Sequence, residues 1–149
     1  LNPESFIFGE YTMRDLYHNI LVTQVLNPVT STSTKTSSAV DLRGYDAAAL
    51  VFAVGQSGDT LSGSVYWTLK LTHSDDDSSY SDVALADLNN TAATVVVDSS
   101  AKDKTVYGFG YIGSKRYLRA VATPTGTHST GTPIGMLALR GTPAYSPVN

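Results

Sequence analysis

Hydrophobic and polar residues alternate in several short stretches of the chain, and the clearest is residues 64–72, SVYWTLKLT. Val65, Trp67, Leu69 and Leu71 fall on one side of an extended chain, and mainly polar residues fall on the other. Because the side chains of a β-strand point alternately to its two faces, this pattern predicts a strand with one buried face.

Residues 105–112, TVYGFGYI, alternate in the same way. Three aromatic residues share one face and two glycines share the other, namely Tyr107, Phe109 and Tyr111 against Gly108 and Gly110. Glycines on one face of a strand indicate the close approach of another backbone, or aromatic rings laid across the glycine positions.

Residues 47–54, AAALVFAV, are apolar throughout, which predicts a central strand buried on both faces. The glycine-rich residues 55–63 are predicted to form a hairpin loop. Residues 83–88 fit a short strand or a helical turn, and the Ser- and Thr-rich residues 27–40 fit a loop or a polar edge strand. Further strands are predicted at residues 20–26, 94–98, 115–123 and 134–140.

Strands in this number, about seven or eight with turn signals between them, predict an all-β fold, an antiparallel β-sandwich or barrel. The 149 residues are expected to form a single domain. Residues 1–13 are predicted to be an extended N-terminal arm, and residues 141–149 a C-terminal tail whose two prolines are expected to prevent regular pairing. The aromatic residues of the arm are expected to pack on the edge of their own domain or on a neighbouring subunit.

The composition excludes several classes of function. The chain contains no cysteine, has a net charge of −3, and only 15% of its residues are charged. Without cysteine there is no disulfide, thiolate zinc site or cysteine nucleophile, and synthesis in a reducing host cytoplasm fits. The basic residues form no stripe, so no nucleic-acid partner is expected. No apolar run approaches the ~20 residues of a membrane span, so no membrane partner is expected.

Residue types that carry catalysis or bind metals are present, but not in a recognisable arrangement. The acidic turn at residues 75–77 lacks the ligand spacing of an EF-hand, and His18, His73 and His128 are far apart in the sequence. Ser57 lies in GQSGD, which resembles a nucleophile elbow but lacks the strand-to-helix context. We therefore expect no catalytic residue, no metal site and no cofactor, and interpret the protein as a non-enzyme.

Exposed aromatic side chains offer a different possibility, because they can stack on sugar rings. A carbohydrate-binding β-sandwich module is therefore an alternative interpretation. Core and cross-strand packing is the other use of such residues in strands. The candidates are Trp67, Tyr66, Tyr80, Tyr107 and Tyr111.

Five short motifs follow one another along most of residues 13–149. They are R-x-L-x-x-N-I at residues 14–20, DLRGY at 41–45, HSDDDSSYSDV at 73–83, GYIGSKRY at 110–117 and G-x-P-x-x-x-P-V at 141–148. Together they resemble a family of small virion structural proteins of tailed bacteriophages that are encoded near the major capsid gene. His73 stands where an acidic residue is more usual in that family, and Asp77 where glycine is more usual.

This resemblance implies a capsid decoration or minor capsid protein on the surface of the virion. Its expected partners are the major capsid protein, whose shell it would bind and stabilise, and further copies of itself in a homotrimer. Phe6, Phe8 and Tyr11 of the arm and Tyr145 of the tail are the hypothesised partner-binding anchors. A tail, head-fibre or head–tail joining protein is the alternative.

Overall fold

Two antiparallel sheets packed face to face form the framework of residues 15–149, the part of the chain that the computed structural model describes. This arrangement confirms the predicted all-β fold and shows that, of the two predicted alternatives, the protein is a sandwich and not a barrel. A 3₁₀ turn, Leu85–Asp87, follows the sixth strand. The strands are β1 Ile20–Ser31, β2 Lys35–Thr36, β3 Val40–Asp41, β4 Tyr45–Val54, β5 Tyr66–Ser74, β6 Ser81–Asp82, β7 Thr94–Val97, β8 Thr105–Tyr111, β9 Tyr117–Thr125 and β10 Thr132–Pro143.

The first sheet has four strands in the order β1-β10-β4-β8. In the second sheet β9 and β5 pair along their length, β2 and β3 add to the outer side of β9, and β6 and β7 add to the outer side of β5. Because β2, β3 and β6 contain only two residues each, the longer strands within residues 15–149 number seven, in line with the seven or eight expected.

The core lies between the sheets and is built by the predicted alternation. Trp67, Leu69 and Leu71 of β5 are buried, as the pattern of residues 64–72 predicts. From the facing sheet, Phe52 and Phe109 pack edge to face with their ring centroids 5.6 Å apart. The other fully buried large apolar side chains are Leu50, Leu118, Ile134, Met136 and Val97.

Two predictions about the middle of the chain are wrong. Strand β4 is central in its sheet but buried on one face only, since Phe52 is fully buried while its neighbour Ala53 is exposed. The loop at residues 55–63 is not a hairpin loop, because β4 and β5 belong to different sheets and the loop crosses between them. Strand β1 also continues past residue 26 to Ser31, through two register shifts, and β10 includes residues 141–143 of the predicted tail.

Trp67 connects the two sheets by a buried hydrogen bond as well as by packing. Its Nε1 donates to Oγ1 of Thr132 on β10 at 2.9 Å, and that hydroxyl donates in turn to Oγ of Ser57 at 2.9 Å. Trp67 and Thr132 are both fully buried, so water cannot replace the bond between them.

A second polar contact fastens the loop at residues 55–63 to the loop that precedes β10. The Asp59 carboxylate accepts hydrogen bonds from the backbone N–H groups of Ser129, Thr130 and Gly131, at 3.0, 2.8 and 2.8 Å. His128, whose ring lies 5.2 Å from that of Trp67, has its Nδ1 3.3 Å from Asp59 Oδ2. The backbone donors, with Thr130 foremost, lower the pKa of Asp59 to about 2.

Thr132→Val should lower the free energy of unfolding by about 1–3 kcal/mol, because the shape is kept while the Trp67 indole N–H loses its acceptor. Thr68→Val, on the outer side of β5, is the matched control and should change it by less than ~0.5 kcal/mol. Chemical denaturation followed by Trp67 fluorescence measures both. Equal effects of the two substitutions would contradict a role for the buried hydrogen bond.

Asp59→Asn should make the protein less stable at neutral pH, and the loss should shrink in acid. The folded-state pKa lies below the usual value of 3.8, so Asp59 contributes stability above about pH 4 that is lost as the pH falls towards 2. Urea denaturation of both proteins between pH 2 and 7 checks this. A difference that does not vary with pH would show that the charge of Asp59 is not what holds the two loops.

Candidate docking surface

The outer face of the four-stranded sheet has an unusual composition. It is formed by Ile20, Val22 and Gln24 of β1, by Gly135, Leu137, Leu139 and Gly141 of β10, by Ala47, Ala49, Val51 and Ala53 of β4, and by Val106, Gly108 and Gly110 of β8. None of these positions carries a charge, and Gln24 is the one polar residue among them. We call it the uncharged sheet face.

The register places these residues in rows across the four strands. One row runs Gln24, Leu137, Val51 and Gly108, and the next runs Val22, Leu139, Ala49 and Gly110. In these rows the large side chains lie mainly on β1 and β10. The residues on β4 and β8 are mostly alanine and glycine, so the surface is lower there. The result is a shallow apolar step on the surface of the sheet.

Much of this face is open in residues 15–149. Val106 on β8 is 66% exposed and Val22 on β1 is 55% exposed. A methyl group at Gly108 would meet no atom within 4 Å, whereas one at Gly135 would lie 3.1 Å from Cγ of Pro28. The end beneath Pro28 is therefore covered closely, and the surface above Gly108 is open.

The outer face of the other sheet is an ordinary solvated surface by comparison. Lys70 of β5 pairs with Asp82 of β6 at 2.8 Å. Arg119 of β9 lies 3.3 Å from Asp77 and covers the ring of Tyr80 at 4.1 Å. The absence of charge is thus a property of one side of the sandwich and not of the protein as a whole.

An apolar hollow adjoins the uncharged sheet face at the end where β1 begins. Its volume is about 470 Å³, and its lining residues are Leu16, Tyr17, Ile20, Val22, Leu139 and Asn149. Three of them, Ile20, Val22 and Leu139, also belong to the uncharged sheet face, so hollow and face form one continuous apolar surface. We call this the end hollow.

The C-terminal tail is fastened beside the end hollow. The backbone N–H of Val148 donates to the His18 carbonyl at 3.1 Å, and Nδ2 of Asn149 donates to the carbonyls of Tyr17 and Ile20 at 2.6 and 3.0 Å. These bonds bring the first and last motifs of the sequence, residues 14–20 and 141–148, together at one end of the molecule.

Of the four residues hypothesised as partner-binding anchors, the structure describes one. Tyr145, in the tail, is 90% exposed at the same end as the hollow. Leu16 and Tyr17, 59% and 70% exposed, stand there too, although the sequence analysis did not select them. Phe6, Phe8 and Tyr11 lie outside the described residues, and the chain leading to them joins the described part at Asp15.

The free edge of β8 is closed by a side chain that imitates a strand. The side-chain amide of Asn90 donates to the carbonyl of Gly108 at 2.8 Å, and its side-chain oxygen accepts from the N–H of Gly110 at 3.0 Å. The N–H of Asn89 donates to the Gly110 carbonyl at 2.9 Å. Because unpaired edges invite other strands, this closure protects the Gly108–Gly110 part of the β8 edge from pairing with another strand.

The remaining sequence motifs hold the fold together. Arg116 makes a two-pronged ion pair with Asp41, at 2.8 and 2.6 Å, which joins motif 110–117 to motif 41–45 and lowers the pKa of Asp41 to about 2. Tyr111 bonds through its hydroxyl to Nδ1 of His73 at 3.0 Å, which joins 110–117 to 73–83. These motifs therefore connect loops at one end of the sandwich.

The residues considered for chemistry occupy separate environments. His18 pairs with Asp15, His73 with Tyr111, and His128 lies against Trp67. In the acidic turn, Asp76 accepts backbone N–H groups from Ser78 and Ser79, which lower its pKa. Over residues 15–149 no three His, Asp or Glu side chains converge as a metal site.

Two of the five residues considered for sugar stacking are buried. Trp67 is fully buried and Tyr111 is 5% exposed, so neither presents its ring to solvent. The face of Tyr80 is covered by Arg119, and burial, with the hydrogen bond to Asp77, raises the pKa of Tyr80 to about 12. Tyr107 donates through its hydroxyl to the Lys102 carbonyl at 2.5 Å.

Residues 15–149 contain no helix with the length and hydrophobicity needed to span a bilayer. No protein-family model matches the sequence, and no curated protein is significantly similar to it.

Asn90→Ala should speed hydrogen exchange at the Gly110 amide by about tenfold, because that N–H loses its side-chain acceptor on an edge strand. Asn89→Ala is the matched control, since the hydrogen bond of Asn89 to Gly110 is made by its backbone N–H. Exchange followed by NMR measures both variants. Unchanged exchange in Asn90→Ala would mean that the edge is protected by something other than this side chain.

Proposed function

We propose that this protein is a non-enzymatic structural protein of a tailed-phage particle, a capsid decoration protein that binds the shell of the major capsid protein and stabilises it. The observation that carries the proposal is the uncharged sheet face. Two independent considerations support it: the five motifs that resemble small virion proteins, and the end hollow, which continues the face at the end of the molecule where Tyr145 is exposed.

The size of the face indicates what kind of contact it can make. With strands about 4.8 Å apart and about 3.3 Å per residue, four strands of this length cover roughly 400 Å². Apolar patches of about this size on a monomer are often functional. A stable interface usually buries about 800 Å² on each partner, so the face alone is about half of one.

A contact of half the usual size suits a protein that is held at several points. The end hollow with Leu16 and Tyr17 adds area next to the face, and the exposed Tyr145 stands at the same end of the molecule. Copies joined in a homotrimer would each place these elements on adjacent shell subunits. Linked weak contacts of this kind strengthen one another through their effective concentration.

The stabilising action would be mechanical. A molecule that binds the assembled shell but not its separated subunits shifts the equilibrium towards the assembled state by mass action. The virion surface is therefore the proposed location, and the major capsid protein and further copies of this chain are the proposed partners.

The test is the mass of the purified protein in solution, followed by sedimentation with empty shells of the major capsid protein. A trimer that pellets with shells in a saturable ratio is expected. Val106→Lys, which places a charge on the uncharged sheet face, should weaken binding by at least about tenfold. Val96→Lys is the control, because Val96 is an exposed valine on strand β7 of the opposite sheet.

The outcomes separate the parts of the proposal. Wild-type protein that stays in the supernatant would rule out decoration and favour a tail or joining component. Co-sedimentation that Val106→Lys and Val96→Lys reduce equally would leave decoration standing but would exclude the uncharged sheet face as the contact.

A further inference from the structure

We propose that the buried pair of His73 and Tyr111 is an acid-sensitive latch. Neutral His73 holds the turn at residues 113–115 closed over the ring of Tyr111, and protonation of the imidazole releases that turn. The latch is a property of the single chain. It goes beyond the proposed function and does not depend on it.

Both members of the pair are shielded from water. His73 on β5 is 7% exposed, and Tyr111 at the end of β8 is 5% exposed. Nδ1 of His73 lies 3.0 Å from the hydroxyl oxygen of Tyr111, and the two rings meet edge to face with their centroids 5.8 Å apart. Because β5 and β8 belong to different sheets, the pair connects the two halves of the sandwich.

The hydrogen bonds of the Tyr111 hydroxyl determine the protonation state of His73. The hydroxyl oxygen accepts the backbone N–H of Lys115 at 3.0 Å. Its one other partner within residues 15–149 is Nδ1 of His73. A hydroxyl has one proton to donate, and here only Nδ1 can accept it. His73 is therefore neutral, with its own proton on Nε2.

Protonation removes this acceptor. An imidazolium carries a proton on both nitrogens, so its Nδ1–H would point at the Tyr111 oxygen. The hydroxyl proton would then be left without a partner in a buried site, which is unfavourable. The closed arrangement is therefore stable only while His73 is neutral.

The turn is folded tightly over the ring, so it follows any movement of the hydroxyl. A methyl group at Gly113 would lie 2.5 Å from the hydroxyl oxygen of Tyr111 and 2.6 Å from its Cζ. If the hydroxyl moves away from its present position, the Lys115 N–H loses its acceptor as well. Protonation of one side chain is thus transmitted to the backbone of the turn.

Bonds that do not involve His73 confine the opening to this turn. The N–H of Ile112 donates to the carbonyl of Asp87 at 2.8 Å, and the carbonyl of Arg116 accepts the N–H of Leu42 at 2.9 Å. These two bonds flank residues 113–115 and can persist when the latch opens. We therefore expect local opening, with the sandwich intact.

The charges around His73 come from three elements. Lys115 of the turn disfavours a second positive charge, whereas Asp87 of the 3₁₀ turn and Asp75 of the acidic turn favour it. Burial, followed by Lys115, lowers the pKa of His73 below its usual 6.5. Burial raises the pKa of Tyr111 above its usual 10.0, so that group stays protonated in acid.

The sign of the pH effect follows from the lowered pKa of His73. The unfolded or opened chain binds the proton more readily than the closed one. The stabilisation from the latch is therefore complete above about pH 6.5, and it is lost as the pH falls through the folded-state pKa.

Hydrogen exchange of the Lys115 amide, followed by NMR in the full chain without shells, measures the latch. After correction for the intrinsic rate, the opening equilibrium of this amide should rise roughly tenfold between pH 7 and pH 4.5. His73→Gln, which cannot be protonated in this range, should abolish the rise. His18→Gln is the matched control, because His18 is an exposed histidine paired with Asp15, and it should keep the wild-type response.

Tyr111→Phe provides a second variant that keeps the ring. Without the hydroxyl, the Lys115 amide should already exchange roughly tenfold faster at pH 7 and should no longer respond to acid. Trp67 fluorescence reports whether each variant is folded.

Three results would overturn the latch. They are a Lys115 opening equilibrium that does not change between pH 7 and pH 4.5, a rise that persists in His73→Gln, and a rise that His18→Gln abolishes as well. Because the assay uses free protein, its failure is distinguishable from a failure of the sedimentation experiment.

Discussion

Trp67 is the residue on which the sandwich depends most. Its ring fills the centre of the core from β5, its Nε1 bonds to Thr132 on β10, and His128 packs beside it from a loop that Asp59 fastens. One side chain thus ties together both sheets and the loops at one end. A shift of β5 by one residue would turn Trp67, Leu69 and Leu71 away from the core, so burial of this face fixes the register of β5 in its sheet.

The orientation of each strand also determines which of its residues lie on the outer surface of the sheet. Once Leu50 and Phe52 of β4 point to the core, Ala49, Val51 and Ala53 must point away from it. On the six-stranded sheet the equivalent positions carry ion pairs such as Lys70–Asp82, and on the four-stranded sheet they carry no charge. The fold requires the inner face of the four-stranded sheet to be apolar, because that face is buried in the core. It does not require the outer face to be apolar as well.

This difference explains how far sequence reasoning could go. The alternation of residues 64–72 predicts which side chains of β5 are buried, because one face of that strand is polar. Residues 47–54 carry apolar side chains on both faces, and the pattern cannot distinguish a face covered by the protein's own core from one turned towards another surface. The strand was therefore predicted correctly, and its surroundings were not.

Loop connections were harder to predict for a related reason. Glycine and serine in residues 55–63 indicate a turn, but which sheet receives the next strand depends on contacts such as Asp59 with residues 129–131, about seventy positions away. The hydrogen bonds by which Asn90 closes the β8 edge could likewise not be predicted from the sequence, since Asn90 reaches Gly108 and Gly110 only in the folded chain. The uncharged sheet face itself had a signal: small or apolar residues at every second position of β4, β8 and β10. Recognising it required knowing that these three strands are neighbours, because only adjacency turns three separate half-patterns into one surface.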